Sequence, residues 1–496
     1  MRSTGHRILA GTCVLISALA GLAREDAWTE IKSPNFVVIS DASPKQARQT
    51  ARSLEQFRVL LRTCLPQLKA DPGVPLLVFA TRDERSLKAL LPIRPGKGVV
   101  QPSGIFISNS VRNWVALRLD VPEDQAFHTI YHEYVHMIMR LNFPKMPLWA
   151  NEGLAELFAF AKFSEGECSL GYPSPEHLQT LQTESMMPLS TLLTVGRDSP
   201  YYIQADKARI FYAQSWALAH YLMLGDHEAR AKPLKEFLKL IQNGVSDGEA
   251  AGKAFGDLDT LQQNLNSYVR MKAFYHYRIP ARPGAKEEDY AARLLPAPES
   301  LALRGQFLLS ANRLEDARAM LKQALQLDAQ SAEANEGMGL LFLRLRNREE
   351  ARKYFLATTQ LDSKSFLAQY YAAQSEYQRG ADYTTTEDYL RKALLLNPKF
   401  VPAYSLLAYV FSMQKKLPEA LRMAAKAVAL EPAEMRHRIN VCEILLSMER
   451  FDDAVREAER AIAIADTEAN RSTAQSMLSR IKNYRNHVLE SRQPEQ

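Results

Sequence analysis

Hydrophobic and polar positions divide the chain into stretches with different periods. Between residues 28 and about 120, short runs rich in β-branched and aromatic residues alternate with a helical pattern. Such runs, bounded by Pro, Gly, Asp or Asn, predict β-strands. The predicted strands are 35–40, 75–80, 103–108 and 113–119, and the predicted helix is 44–65. We therefore expect a small sheet with helices packed on one face.

From Pro122 to about residue 276 the pattern is mostly helical. Pro122 and Glu123 open a predicted helix, with proline in the first turn and an acid at the positive end of the helix dipole. This helix runs to about Arg140 and is apolar on nearly every face, so it must be buried. Unpaired polar groups are costly in a buried position. The polar residues on this helix therefore need partners.

An internal repeat of about 34 residues follows a Pro-, Gly- and charge-rich linker at 279–297. This is the period of tetratricopeptide (TPR) repeats. Small residues recur twelve positions apart, as at Gly339 and Ala351, and the frame is disturbed near Gly380. Small residues let the two helices of a hairpin approach closely, and stacked hairpins bury a shared core. We predict five repeats over 298–468, with a capping helix and tail at 469–496.

Predicted first helices of the repeats carry Tyr370, Gln374, Tyr377 and Tyr409. In a TPR superhelix such positions tend to face the concave side, where a protein partner would bind. Packing between helices explains the aromatic residues nearly as well.

Composition and charge narrow the class of protein. The 496 residues exceed what one hydrophobic core usually serves, so more than one domain is expected. The net charge of +6 is small for this length and no dense Lys/Arg stripe accompanies it. Nucleic acid is therefore not an expected partner.

Residues 1–23 have the pattern of a signal peptide. A basic start with Arg2 and Arg7 precedes a short apolar run, and small residues end at Ala23. We expect export to the periplasm or the extracellular space. The alternative is an uncleaved N-terminal anchor, which would bring the protein into contact with a membrane, although the run is short for a span.

The mature chain keeps Cys64, Cys168 and Cys442, which are too few and too scattered for a disulfide framework or a cysteine-based zinc site. One disulfide between Cys64 and Cys168, or buried free thiols, are both open.

Residues 132–136 read HEYVH, an H-E-x-x-H sequence on the buried helix. Histidines at i and i+4 share one helix face, so His132 and His136 can bind one Zn²⁺. Glu133 lies one position on, beside the metal, where it can take a proton from water. His128 lies one turn earlier on the same face. It could be a fourth ligand or a cleft residue, but it is left out of the ligand set, because such a histidine is more often satisfied near the surface.

A second acidic segment strengthens the motif. Glu152 lies sixteen residues after His136, in the segment LWANEGLAE, beyond a loop that contains Pro144 and Pro147. A second helix returning antiparallel would bring Glu152 to the histidines and complete the His₂Glu set of an open catalytic zinc site. Glu156, one turn later, is placed to accept a hydrogen bond from the far nitrogen of a ligand histidine.

HEYVH followed by WANEGLAE resembles the gluzincin metallopeptidases of the peptidase-MA-like type. The resemblance covers roughly residues 28–275, including WVALRL at 114–119 and FYAQSW at 211–216. It implies one zinc ion per chain held by His132, His136 and Glu152, with Glu133 as general base. It also implies that the strand 114–119 lies beside the cleft and can pair with substrate backbone.

The expected fold class is an α+β gluzincin-like catalytic domain at 24–278 followed by an all-α TPR superhelix. The donor that stabilises the oxyanion is less well defined. Tyr212 is the first choice, because a phenol suits the role and the resemblance puts its helix near the cleft. Tyr202 and His220 are rivals, and Tyr212 as an ordinary core residue is an equal alternative.

The expected function is zinc-dependent hydrolysis of peptide bonds, with the repeats binding a peptide or protein substrate or a partner protein. The alternative is a catalytically silent metallopeptidase-like protein that works as an interaction scaffold. Glu133 counts against the silent alternative, because an inactive relative has no need of the base. Hydrolysis of another amide or an ester has no sequence feature in its favour.

Overall fold

The structure is a computed structural model of the chain. It describes residues 27–66, 68–69, 76–92, 103–109, 112–143, 146–164, 167–225, 231–280, 290–361, 364–380, 382–465 and 467–491. The signal segment expected at 1–23 lies outside these residues.

The strands are β1 (Thr29–Lys32), β2 (Val37–Ser40), β3 (Leu76–Thr81), β4 (Gly104–Ser108), β5 (Asn113–Arg118), β6 (Lys162–Ser164), β7 (Glu167–Leu170), β8 (Tyr277–Pro280) and β9 (Ala292–Leu294). The helices before the repeats are α1 (Pro44–Cys64), α2 (Glu84–Leu90), α3 (Glu123–Asn142), α4 (Leu148–Ala159), α5 (Pro175–Thr183), α6 (Leu189–Thr194), α7 (Pro200–Ile203), α8 (Ala205–Leu224), α9 (Ala231–Gln242), α10 (Asp247–Phe255) and α11 (Leu258–Tyr268).

The helices of the repeat region are α12 (Ala297–Ser310), α13 (Leu314–Leu327), α14 (Ala332–Arg344), α15 (Arg348–Gln360), α16 (Phe366–Gln378), α17 (Tyr383–Leu396), α18 (Val401–Met413), α19 (Leu417–Leu430), α20 (Met435–Ser447), α21 (Phe451–Ile464) and α22 (Glu468–Ser491). No described helix has the length and apolarity that a membrane span requires.

The chain forms two compact units that do not follow chain order. Within the described residues, the first unit contains 27–55, 76–126 and 290–354. The second unit contains 56–69, 127–280 and 355–491.

A mixed sheet of six strands, in the order β4-β5-β3-β2-β1-β9, lies in the first unit. Strands β2, β3 and β5 run parallel, and β4, β1 and β9 pair antiparallel with their neighbours. All six residues of β3 are buried, as in a central parallel strand covered on both faces. The four strands predicted from the sequence are confirmed as β2, β3, β4 and β5.

Two strands of this sheet were not predicted. Strand β1 pairs with β9 through Thr29 and Leu294, and β9 lies in the segment expected to be a linker. All three side chains of β9 are exposed. A strand held at a sheet edge by backbone hydrogen bonds alone has no alternation of buried and exposed residues, so its sequence carries no strand pattern.

Strand β5 does not offer a free edge to a substrate. It pairs with β3 from Leu76↔Asn113 to Thr81↔Arg118 and with β4 from Gly104↔Leu117 to Ser108↔Asn113. The expectation that the strand at 114–119 pairs with substrate backbone is therefore wrong, because its backbone groups are used on both sides. Strands β4 and β9 are the two edges of the sheet.

The core of the first unit joins the sheet to the first repeat helix. The Phe307 ring of α12 lies 5.3 Å from the Phe79 ring and 5.7 Å from the Trp114 ring, both edge-on. Trp28 meets Phe79 edge-on at 5.7 Å. Aromatic pairs of this geometry stabilise by about 0.5–1.5 kcal/mol beyond the area they bury. The first helix of the repeat region is therefore part of the sheet's own core.

A buried ion pair makes a second connection in this unit. Arg112 donates to Gln306 Oε1 and to Glu336 Oε1, each at 2.5 Å. The side chains that accept these bonds lie on α12 and α14 and are 2% exposed. Removing one partner of a buried pair leaves an uncompensated charge, which typically costs about 3–5 kcal/mol. Arg112 therefore fixes the start of β5 to the first two helix pairs.

Within the described residues, helices α12 to α21 follow one another along the chain as five TPR-type pairs, and α22 comes after them. In each pair, the turn after the first helix has a residue with positive φ two positions beyond the last helical residue, at Asn312, Arg346, Gly380, Lys415 and Glu449. These turns recur every 34 residues, except that 35 separate Gly380 from Lys415. The disturbance expected near Gly380 is this one extra residue.

Close helix approach explains the small residues of the repeats. A Cβ atom added at Gly305 would lie 2.8 Å from Leu321 Cγ on the next helix. Ala351, at a predicted small position, is fully buried, and so are Ala317 and Ala420 on the second helices of other pairs.

Replacement of Lys415 by glycine tests the turn geometry. Lys415 has φ of 62°, a conformation that is strained for an L side chain and free for glycine. We expect Lys415→Gly to stabilise the array by roughly 0.5–1 kcal/mol. The matched control, Lys426→Gly in the exposed middle of α19, should destabilise by about 1 kcal/mol. Helical circular dichroism during thermal unfolding measures both, and an equal loss in the two variants would contradict the turn assignment.

Candidate metal centre

The HEYVH sequence lies in the middle of α3, whose buried face anchors it. Ile130, Val135 and Ile138 are at most 1% exposed, so these apolar side chains hold the helix in the core. Acidic residues in the first turn favour the start of this helix. The two histidine side chains are 14% and 20% exposed.

Helix α4 carries Glu152 and packs tightly on α8. A Cβ atom added at Gly153 would lie 2.3 Å from the carbonyl oxygen of Ser215. Only glycine therefore fits where these two helices meet. The glycine after Glu152 is needed for packing, and the packing determines where the carboxylate lies.

Three potential ligand atoms converge. His132 Nε2 lies 2.9 Å from His136 Nε2 and 3.4 Å from Glu152 Oε2. His136 Nε2 lies 3.2 Å from the same oxygen. Tetrahedral zinc with bonds of about 2.0–2.1 Å has ligand atoms about 3.3 Å apart. Among the His, Cys, Asp and Glu side chains of the described residues, His132, His136 and Glu152 form the group whose donor atoms are close enough to bind one metal ion.

Glu152 supports a cation at this point. It is 3% exposed, and its Oε2 atom accepts no hydrogen bond from the described residues. Its other oxygen accepts one from the Tyr202 hydroxyl at 3.2 Å. A buried carboxylate oxygen without a hydrogen bond needs a positive charge beside it, and a bound cation would supply that charge. The donor set and its burial therefore fit zinc.

Charge interactions in the site are strong. Burial opposes charging of His132, but Glu152 and Glu156 outweigh it and raise the pKa of His132 to about 10. Burial also opposes charging of Glu152, but His132 and His136 lower its pKa to about 2. Without metal, the site therefore holds a proton on His132 opposite an ionised Glu152. A metal ion must displace that proton to bind.

Glu156 lies among three imidazoles. Its Oε1 is 3.1 Å from His132 Nδ1, and its Oε2 is 3.0 Å from His177 Nε2 and 3.5 Å from His128 Nε2. The carboxylate is 7% exposed. Burial works against its charge, but these histidines hold the pKa of Glu156 well below its usual range. Glu156 therefore stands behind His132 as the sequence predicts, and it also binds a second partner.

His177 was not identified from the sequence. It lies 21 residues from Glu156, in the first turn of α5, where its backbone N–H donates to Ser174 Oγ at 3.3 Å. No local spacing relates a residue on α5 to one on α4. Only the N-cap sequence Ser174-Pro175 signals the start of the helix.

The predicted oxyanion donor lies one step from the metal ligands. The Tyr202 hydroxyl donates to Glu152 Oε1, and the Tyr212 ring lies beside the Tyr202 ring, with centroids 6.2 Å apart. Burial raises the pKa of both phenols, so both keep their protons at neutral pH. Tyr212 also lines a cavity of about 460 Å³ together with His132 and Glu156.

The remaining candidates lie in different surroundings. Glu133 is half-buried on α3, next to His132. His220 is fully buried, with Nδ1 2.8 Å from the Tyr268 hydroxyl and Nε2 2.8 Å from the Gly171 carbonyl. Both ring nitrogens of His220 are therefore engaged in hydrogen bonds inside the core. Cys64 and Cys168 are free thiols in this structure.

Two protein families match the chain, one over the segment with the candidate metal centre and one over part of the repeat region. Residues 126–241 match a family described as a protein of unknown function, DUF1570, and this segment contains every candidate ligand. Residues 298–331 match a tetratricopeptide repeat family. The C-terminal part of the chain therefore contains TPR repeats, the class of domain that binds protein partners.

Similarity to individual proteins is weaker. The protein O-mannosyl-transferase TMTC3 of Homo sapiens is 24% identical over 241 residues, which is 47% of this chain. The chain spans only 26% of that relative's length. The structure of YrrB, titled a TPR protein with an unusual peptide-binding site, is 21% identical and covers 36% of this chain and 91% of its own, with a TM-score of 0.32. The structure of PilF of Pseudomonas aeruginosa is 17% identical and covers 39% of this chain and 88% of its own, with a TM-score of 0.33.

His220 gives a pH-dependent prediction. Burial lowers its pKa to about 4, against about 6.5 for an ordinary histidine, so the unfolded chain takes up the proton first as the pH falls. Its contribution to stability is complete above pH 6.5 and is lost as the pH falls towards 4, by about 3 kcal/mol.

The measurement is the thermal unfolding midpoint between pH 7 and pH 4. We expect His220→Gln to show a smaller fall than the parent, and His276→Gln, at an exposed position, to fall with the parent. A slope in His220→Gln equal to that of the parent would contradict the assignment.

Proposed function

We propose that this protein is an exported, gluzincin-type zinc peptidase in which His132, His136 and Glu152 hold one zinc ion. The observation that carries the proposal is the convergence of two imidazole nitrogens and one buried carboxylate oxygen within 3.4 Å of one another. Zinc bound there would lower the pKa of a water molecule to about 7 and polarise a peptide carbonyl.

Protein groups would carry the proton transfers. Glu133 is the general base that takes a proton from the attacking water and later delivers it to the leaving amine. Glu156 Oε1 lies 3.1 Å from His132 Nδ1 and would keep the proton on that nitrogen, which leaves Nε2 unprotonated for the metal. Such carboxylates fix the histidine tautomer, so Glu156 acts through His132 and not on the substrate.

The two phenols would divide the remaining work. Tyr202 donates to the Glu152 oxygen that faces away from the histidines and so orients the ligand carboxylate. Tyr212 keeps its proton because burial raises its pKa, and it lines the cavity beside His132. A protonated phenol at a cavity wall can donate to the negative charge that develops on a carbonyl oxygen. Tyr212 is our candidate for that role.

A second candidate function rests on a separate observation. The TPR family match and the similarity to TMTC3 support a protein-interaction scaffold better than they support a peptidase. In that function the array binds a partner protein, and the metal centre, if loaded, is catalytically silent. Export through a signal peptide at 1–23, or retention by that segment as an anchor, belongs to both proposals.

Glu133→Gln separates the two functions. The variant should retain one zinc per chain, because Glu133 is not a ligand, while hydrolysis falls by roughly 10²–10⁴-fold through loss of the base. Zinc is measured by mass spectrometry of the metal and hydrolysis with a quenched-fluorescence peptide library. Glu236→Gln, at an exposed position on α9, is the control. Equal turnover by parent and Glu133→Gln, or zinc-loaded parent without turnover of any peptide, would overturn the peptidase in favour of the scaffold.

Glu152→Ala tests the ligand set. Removing one of three protein ligands should weaken zinc binding by at least about 100-fold, more than the loss of an outer partner causes. Competition with a chromophoric chelator measures the affinity. Retention of parental affinity would show that this carboxylate is not a ligand.

A further inference from the structure

Glu156 has more partners than its role behind His132 requires. A carboxylate has two oxygens and about four acceptor positions. One oxygen lies against His132, and the other accepts from His177 Nε2 at 3.0 Å. Because Glu156 is 7% exposed, water has little access to replace a lost partner.

Of the two histidines near that second oxygen, His177 makes the shorter contact, at 3.0 Å. The His128 nitrogen lies at 3.5 Å and makes no aligned hydrogen bond. Contacts of that length and alignment are weak. Removing His177 therefore leaves one side of a buried carboxylate poorly satisfied, and the carboxylate is free to rotate away from His132.

His177 is itself held in place. Its backbone N–H is capped by Ser174 Oγ, and its side chain is 15% exposed. Its ring centroid lies 6.1 Å from that of Trp216 and 6.3 Å from that of Phe160. A donor fixed by a helix start and by two aromatic rings can orient the carboxylate that it binds.

We propose that His177 is a positioning residue of the metal centre, which holds Glu156 against His132 and thereby strengthens zinc binding from outside the ligand set. The inference rests on the proposed zinc site. It makes α5, separate in sequence from both ligand-bearing helices, a determinant of metal affinity.

The test is the zinc affinity of three variants, measured by competition with a chromophoric chelator. His177→Ala, which removes the donor, should bind zinc about 10-fold more weakly, the lower end of the effect of outer partners. His177→Phe keeps a ring but has no donor and should match the alanine variant, and it replaces that variant if alanine prevents folding. His177→Gln retains an amide donor at similar reach and should bind within about threefold of the parent.

His276→Ala, at an exposed position, is the control and should bind as the parent does. Parental affinity in both His177→Ala and His177→Phe would overturn the positioning role while leaving the zinc site intact. A parent that binds no zinc would instead overturn the proposed function. Two zinc ions per parent chain and one in His177→Ala would make His177 a ligand, which also overturns positioning.

Discussion

A buried carboxylate facing two imidazole nitrogens is the interaction on which the rest of this site depends. Glu152 is almost fully buried, and its Oε2 atom lies 3.2 Å from one ring nitrogen and 3.4 Å from the other. An ionised group in such a place must be compensated by a positive charge. Either a proton on His132 or a cation between the three groups supplies it. Both arrangements place a positive charge opposite the Glu152 carboxylate.

The surrounding packing holds this arrangement in place. Gly153 lets α4 approach the backbone of α8, so Glu152 cannot move without separating two buried helices. Around the candidate ligands, Glu156 lies between His132 and His177, and Tyr202 donates to Glu152. Ligand groups held by such outer contacts keep their orientation before a metal arrives, which is the condition for tight binding. The site is thus a property of α3, α4, α5, α7 and α8 together.

The sequence predicts those parts of the molecule that depend on the spacing of nearby residues. Histidines four apart on α3 and the small-residue period of the repeats follow directly from helix geometry. Contacts between segments that are distant in the sequence could not be predicted from it. Strand β9 has no buried side chain to reveal it, and the pattern of β5 is the same for a central strand as for an edge strand. His177 meets Glu156 only through the fold, so no spacing in the sequence could relate them.

X-ray absorption at the zinc edge, on protein loaded with one equivalent of zinc, tests the central claim most directly. The account predicts a first shell of nitrogen and oxygen at about 2.0–2.1 Å, without sulfur, and outer-shell scattering from two imidazoles. A first shell with sulfur at about 2.3 Å, or one without imidazole scattering, would contradict it.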